Sequence, residues 1–215
     1  PANVERAVRA AKAAGLQVSL DLIYGAPGES MGDWRRSLEA AIGIGPDHIS
    51  AYALVIEEGT RMWGRVRRGE LPMPTGDDEA DKYELADEVL SAAGFDWYEV
   101  SNWTRTPAGR CRHNDGYWTG GDWWGIGPGA HSHVAGVRWL NAKHPARYAK
   151  SLADGVLPIA SAEQLTPEDR HLEAVMLTTR CRSGLPRDLL DDAETAHAEQ
   201  LRAAGLLTAA QPPGD

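Results

Sequence analysis

Apolar positions near the N-terminus change period from helical to strand-like and back. Val4, Ala7, Val8 and Ala11 recur at helical spacing up to Gly15, and the run LQVSLDLIYG that follows reads as a buried strand closed by a turn. Ser30 has the character of a helix cap. Trp34, Leu38, Ala41 and Ile42 then fall on one helical face, Gly45-Pro46 stops that helix, and HISAYALVI supplies a second strand. Helix, strand, helix, strand implies parallel strands joined by crossover helices, either as a doubly wound sheet or as part of a barrel. Both architectures put ligands at the C-terminal ends of their strands.

Further along, the pattern predicts a charged helix around residues 60 to 68, a Pro-rich loop LPMPTG, and a longer helix directing Tyr83, Leu85, Ala86, Val89 and Leu90 to a core. Gly94 ends that helix before an aromatic strand, FDWYEVSNW. VRWLN reads as a short strand and HPARYAKSLADG as a short helix. Thr166-Pro167-Glu168-Asp169 is a helix start with a capping hydroxyl, a first-turn proline and first-turn acids, and two or three short helices run on to Gly205 before a frayed QPPGD terminus. A helix feeding at once into a parallel strand suggests that earlier βα units are missing, so the chain reads as a fragment. An open half barrel of this kind predicts aggregation or poor expression.

A length of 215 residues suits one good core, or one domain with a small appendage. The net charge of −9 argues against a nucleic-acid or anionic-membrane surface, which needs a cationic face. No apolar run reaches transmembrane length, and the charged, helical first residues are unlike a secretory signal, so a cytoplasmic location is expected. Cys111 and Cys181 are then read as two thiols rather than a disulfide.

The candidate chemistry concentrates in residues 111 to 131, CRHNDGYWTGGDWWGIGPGAH, where Cys111, His113, His131 and three of the eight tryptophans lie among glycines. Glycines let a backbone approach a ligand closely, and flat rings beside an imidazole suit a large planar ligand. His113 and Asn114 precede Tyr117 and Trp118. Asn-Asp-Gly suits a turn whose aromatics anchor a loop, while a neutral imidazole is also a good axial ligand for haem iron. His131-Ser132-His133 puts two imidazoles on one side of a strand, as in some zinc hydrolases. Asp21 lies in an otherwise apolar strand, where a carboxylate is costly without a partner. It reads either as a salt-bridge or loop-cap residue or as an acceptor of two ribose hydroxyls. Asp47 and His48 are read as loop structure.

Several separated stretches together resemble the radical SAM proteins related to oxygen-independent coproporphyrinogen III oxidase: DLIYGAPGES, GPDHISAYALVIEEGT, GELPMPTGDDEADKYELA, YEVSNW, CRHNDGYW, GDWWGIGPGAHS and PEDRHLEAVMLTTRCRSGL. His113 to Trp118 matches the HNxxYW motif that marks the HemW haem-chaperone branch. The resemblance implies the second part of a radical SAM partial (β/α) barrel over 1–142, followed by a small helical C-terminal domain over 143–215. It implies that Asp21 contacts S-adenosylmethionine, that Gly127 and Gly129 lie near that cofactor, and that His113, Asn114, Tyr117 and Trp118 form a haem site with His113 toward the iron. It implies haem-acceptor proteins as partners, with peripheral membrane association only through them. The family's CxxxCxxC motif for its [4Fe-4S] cluster is not in this sequence. Alternatives are an oxidase acting on coproporphyrinogen III and, more remotely, a zinc hydrolase using His131 and His133.

Overall fold

Capping chemistry sets where the principal helices begin. In a computed structural model describing residues 2–209, Ser30 accepts from the Asp33 amide while Asp33 reaches back to the Ser30 amide, opening helix α2 (Met31–Ile44). Gly45, at φ 78°, closes it in the left-handed conformation that L side chains avoid. Thr60 caps α3 (Arg61–Arg67) and Thr75 caps α4 (Gly76–Ala92). The QPPGD terminus lies outside the described residues.

The chain divides into two compact units, Pro1–Arg110 and Cys111–Asp215. The first carries α1 (Ala2–Ala13), β1 (Ser19–Tyr24), α2, β2 (His48–Ala53), α3, α4, β3 (Asp96–Glu99) and β4 (Asn102–Thr104). Its four strands form one sheet in the order β1-β2-β4-β3. β1 and β2 are parallel across the α2 crossover, as the alternation predicts, with Asp21 opposite Ser50. FDWYEVSNW departs from its reading as one strand. It folds into an antiparallel β3–β4 pair, and β4 runs antiparallel to β2.

The core of this unit lies on one face of the sheet. Trp34, Leu38 and Ala41 of α2 and Leu85, Ala86 and Leu90 of α4 pack on Tyr24, Ile49, Ala51 and Trp103, with Leu20, Leu22, Tyr83 and Val89 at the margin. The Trp34 Nε1–H donates to the Lys82 carbonyl at 2.9 Å, tying the two helices together. Burial pushes the Tyr83 hydroxyl up to about 12. Asp47 is structural, as expected: it accepts from the Val18 amide at 2.9 Å and from Lys12 at 3.2 Å. Desolvation raises its pKa, but those donors outweigh it and hold the carboxyl below its ordinary value. His48 opens β2, as the run HISAYALVI predicts, and is buried.

The second unit carries α5 (Arg112–Trp118), β5 (His131–Val134), β6 (Val137–Asn141), α6 (Pro145–Ala153), β7 (Ile159–Gln164), α7 (Pro167–Thr178) and α8 (Asp192–Ala203). Its three strands form an antiparallel sheet in the order β5-β6-β7. A division at 142/143 passes between β6 and the strand that completes its sheet. α7 begins with the expected Thr166 capping box and Pro167, and Arg138 of β6 forms a two-pronged ion pair with Glu173 of α7. Among the described residues no helix is long and apolar enough to cross a membrane.

Candidate functional site

Strand alternation puts Asp21 on the face of the first sheet turned away from α2 and α4. Leu20, Leu22 and Tyr24 face the core, leaving Ser19, Asp21 and Ile23 on the other side and exposed. Register then builds a polar row outward from Asp21. Asp21 pairs with Ser50, Ser50 with Asn102, and Asn102 with Glu99, so four strands contribute one polar side chain each. Ser50, Asn102 and Glu99 are buried, and Asn102 Nδ2 donates to Glu99 Oε1. A second row runs beside it, with Ser19 Oγ 2.8 Å from His48 Nδ1 and His48 Nε2 2.8 Å from the Tyr98 hydroxyl. The exposed Asp21 carboxylate has the acceptor capacity for a vicinal diol. Past the C-terminal end of β1, residues 26–29 and 72–75 line a cleft of about 200 Å³ together with Asp78.

In the second unit, HNDGYW forms two turns of helix rather than the turn its Asn-Asp-Gly suggests. His113 and Tyr117, four residues apart, share the exposed face of α5, with ring centroids 4.8 Å apart and nearly perpendicular. Asn114 and Trp118, also four apart, are half-buried. The ring contacts continue beyond the helix: Tyr117 meets Trp123 at 4.7 Å, and Trp123 meets His133 at 4.9 Å. A backbone bridge fixes the last step, the Trp123 amide donating to the His133 carbonyl at 2.7 Å and the His133 amide returning the bond at 2.9 Å. An exposed imidazole beside a tyrosine ring fits haem, whose iron takes imidazole nitrogen.

The 125–129 loop is pinned from beneath. Asn141 Nδ2 donates to the carbonyls of Gly125 and Gly127, both at 3.0 Å. The Gly125 amide donates to Ser132 Oγ at 2.9 Å, and the Gly127 amide to the Tyr148 hydroxyl at 3.1 Å. Gly127 and Gly129 adopt φ of 109° and 70°. Ile126 at the tip is 86% exposed and Trp124 56%. A backbone held this firmly, with apolar side chains exposed on it, suits a flat ligand.

Of the sequence-predicted residues, His113 and Tyr117 come together. Asp21 belongs to the first unit, and Gly127 and Gly129 to the second. His131 is exposed while His133 is buried, and among the described residues no three His, Cys, Asp or Glu gather to hold a metal ion. Two cysteines cannot supply three clustered thiolates, so the residues of this chain do not fit the [4Fe-4S] cluster. Sequence reasoning missed Ser50, Asn102 and Glu99, which only register joins, and Asn141, Ser132 and Tyr148, which hold the loop. It also missed Trp123 as a neighbour of Tyr117. The aromatic-Gly spacing there gave a signal without naming the contact.

No protein-family model matches the chain. It is 57% identical over 190 residues to a protein from Mycobacterium tuberculosis named heme chaperone HemW, covering 88% of this chain and 48% of that one. A Synechocystis protein of the same name is 39% identical over 170 residues, covering 78% of this chain and 41% of its own length. A protein from Bos taurus named radical S-adenosyl methionine domain-containing protein 1, mitochondrial, is 33% identical over 186 residues, covering 86% and 39%. The chain thus spans about half the length of the curated relatives it matches. Among solved structures, the Escherichia coli coproporphyrinogen III oxidase HemN, described as a radical SAM enzyme, matches with a TM-score of 0.67 at 16% identity, over 83% of this chain and 44% of that one. The fold is therefore that of part of a radical SAM protein. The chain belongs to the HemW family.

Proposed function

We propose that the chain is the haem-handling portion of a HemW-type haem chaperone, a cytoplasmic protein that binds haem and delivers it to haem-requiring proteins. The observation that carries this reading is the His113–Tyr117 pair on one exposed helical face, with Trp123 behind it. In this reading His113 is the iron ligand, and Asn114, Tyr117 and Trp118 shape the site. Residues 1–142 correspond to barrel and 143–215 to the family's C-terminal domain. A haemin titration following the Soret band tests it. The chain is expected to bind saturably, and His113→Ala to weaken binding about tenfold, roughly 1.4 kcal/mol. Equal affinity of the two proteins removes His113 from the role. Absence of binding by either overturns the reading for this chain.

Asp21 is proposed to accept the ribose hydroxyls of S-adenosylmethionine, and the 125–129 loop to lie near that cofactor. The cofactor, when bound, supplies radical chemistry through a cluster for which this chain carries no ligand set. Exposure of the Asp21 carboxylate beside Ser50 supports the contact. Equilibrium dialysis with S-adenosylmethionine is expected to show about tenfold weaker binding by Asp21→Ala, a loss of roughly 1.4 kcal/mol. An unchanged constant assigns Asp21 to structure alone. The likeness to coproporphyrinogen III oxidase is one of fold, and no observation favours the oxidase reading.

A further inference from the structure

Resting on the haem reading, we infer that His133 is a second iron-ligating imidazole of this site, presented at the inner end of the ring series that starts at His113. Its two nitrogens have different surroundings. Nδ1 lies 3.3 Å from the Gly121 carbonyl, which only accepts, so Nδ1 carries the proton and Nε2 the lone pair. Imidazoles that bind metals commonly take this form, donating one ring N–H to a carbonyl and offering the other nitrogen to the ion. Nε2 has no hydrogen-bond partner among the described residues, although His133 is only 7% exposed. A buried acceptor left bare is a cost that the fold's own hydrogen bonds do not answer. The paired backbone bonds to Trp123 fix the strand, and the Nδ1 contact with Gly121 and the Trp123 ring 4.9 Å away hold the imidazole on it, so the lone pair is fixed as well as bare.

The series also supplies a route to it. Tyr117 is 37% exposed and stands between His113 and Trp123, so the rings that cover the inner imidazole begin at the surface. Tyr117 meets both neighbours edge-on, in contacts that are individually weak, and a porphyrin face replaces them with a larger stacking area. When Tyr117 and Trp123 part, Nε2 of His133 becomes available to iron first taken up at His113. His131, two residues earlier in the same strand, is exposed and lies outside the series.

Ferric haem binding followed by absorption and electron paramagnetic resonance tests this on the chain, with His133→Ala, His133→Phe, His131→Ala and His113→Ala beside it. His133→Phe retains a ring against Trp123, and circular dichroism matching the parent shows that it folds. The parent is expected to give a low-spin, six-coordinate spectrum. Both His133 variants should become high-spin and bind about tenfold more weakly, free imidazole should restore the low-spin signal, and His131→Ala should behave as the parent. A high-spin parent, or His133 variants that keep the parent spectrum and affinity, overturns the assignment. If His113→Ala alone loses haem, the haem reading survives without His133. If the parent itself binds no haem, both fail.

Discussion

Gly125→Ala is expected to dismantle the 125–129 loop and to destabilise the second unit by about 3 kcal/mol or more, from the polar groups it leaves without partners. A Cβ at this position would lie 2.0 Å from the His131 carbonyl oxygen and 2.7 Å from its carbon. Both are backbone atoms of β5, so relief requires movement of the chain itself. Movement breaks the Gly125 bond to Ser132 and the Asn141 bonds to the Gly125 and Gly127 carbonyls. Ser132 and Asn141 are almost fully buried, and water cannot readily replace those partners. Urea denaturation should show the lowered midpoint, and hydrogen exchange should show lost protection of the Gly129 and Asn141 amides. These amides donate to Ala142 and Ala130 at 3.2 and 2.9 Å. A variant with the parent's midpoint and protection would mean that the loop tolerates a side chain and is not rigidly held.

The loop's glycines were visible in the sequence, but the reason for Gly125 was not, because the clash is with a residue six positions on. The same contrast runs through the chain. α2 was legible from end to end because Ser30, Asp33 and Gly45 write its boundaries in local hydrogen bonds and local backbone freedom. α5 was not: Cys111 provides no side-chain cap, and Asn-Asp-Gly has a local preference for turns that the helix overrides. The β3–β4 pair escaped because Val100 and Ser101 are not residues that signal a hairpin. β7 was missed for a different reason. All six of its residues are exposed, leaving no apolar alternation, and pairing with β6 defines it.

The candidate site divides in the same way. Asp21 was legible because a charge in an apolar strand is anomalous on sequence grounds alone, and HNxxYW because its spacing is a motif. The partners were not. Ser50, Asn102 and Glu99 are ordinary polar residues until strand register aligns them with Asp21. The His-x-His pair drew attention to both imidazoles equally. The structure separates them through the Trp123 bridge and the Gly121 carbonyl, neither of which spacing predicts.

Trp34→Ala should cost the first unit about 3–5 kcal/mol, the range for emptying a large aromatic site in a packed core. Trp34 is 1% exposed, its ring lies 5.3 Å from that of Tyr24, and its N–H satisfies the Lys82 carbonyl. Truncation therefore leaves a cavity between α2 and β1 and removes the hydrogen bond that joins α2 to α4. Domains have total stabilities of about 5–15 kcal/mol, so much of the unit's margin would go. The consequence reaches the site because Leu20, Leu22 and Tyr24 hold β1 against this core, and that packing turns Asp21 to the opposite face. Hydrogen exchange of the β1 and β2 amides should accelerate, together with that of Leu54 just past β2, whose amide donates to the Tyr24 carbonyl at 2.8 Å. Trp34→Phe keeps most of the ring and should lose considerably less. A Trp34→Ala variant destabilised by under about 1 kcal/mol would show that the core can collapse around the missing ring, and that Asp21 owes its direction to strand pairing with β2 rather than to the helices behind it.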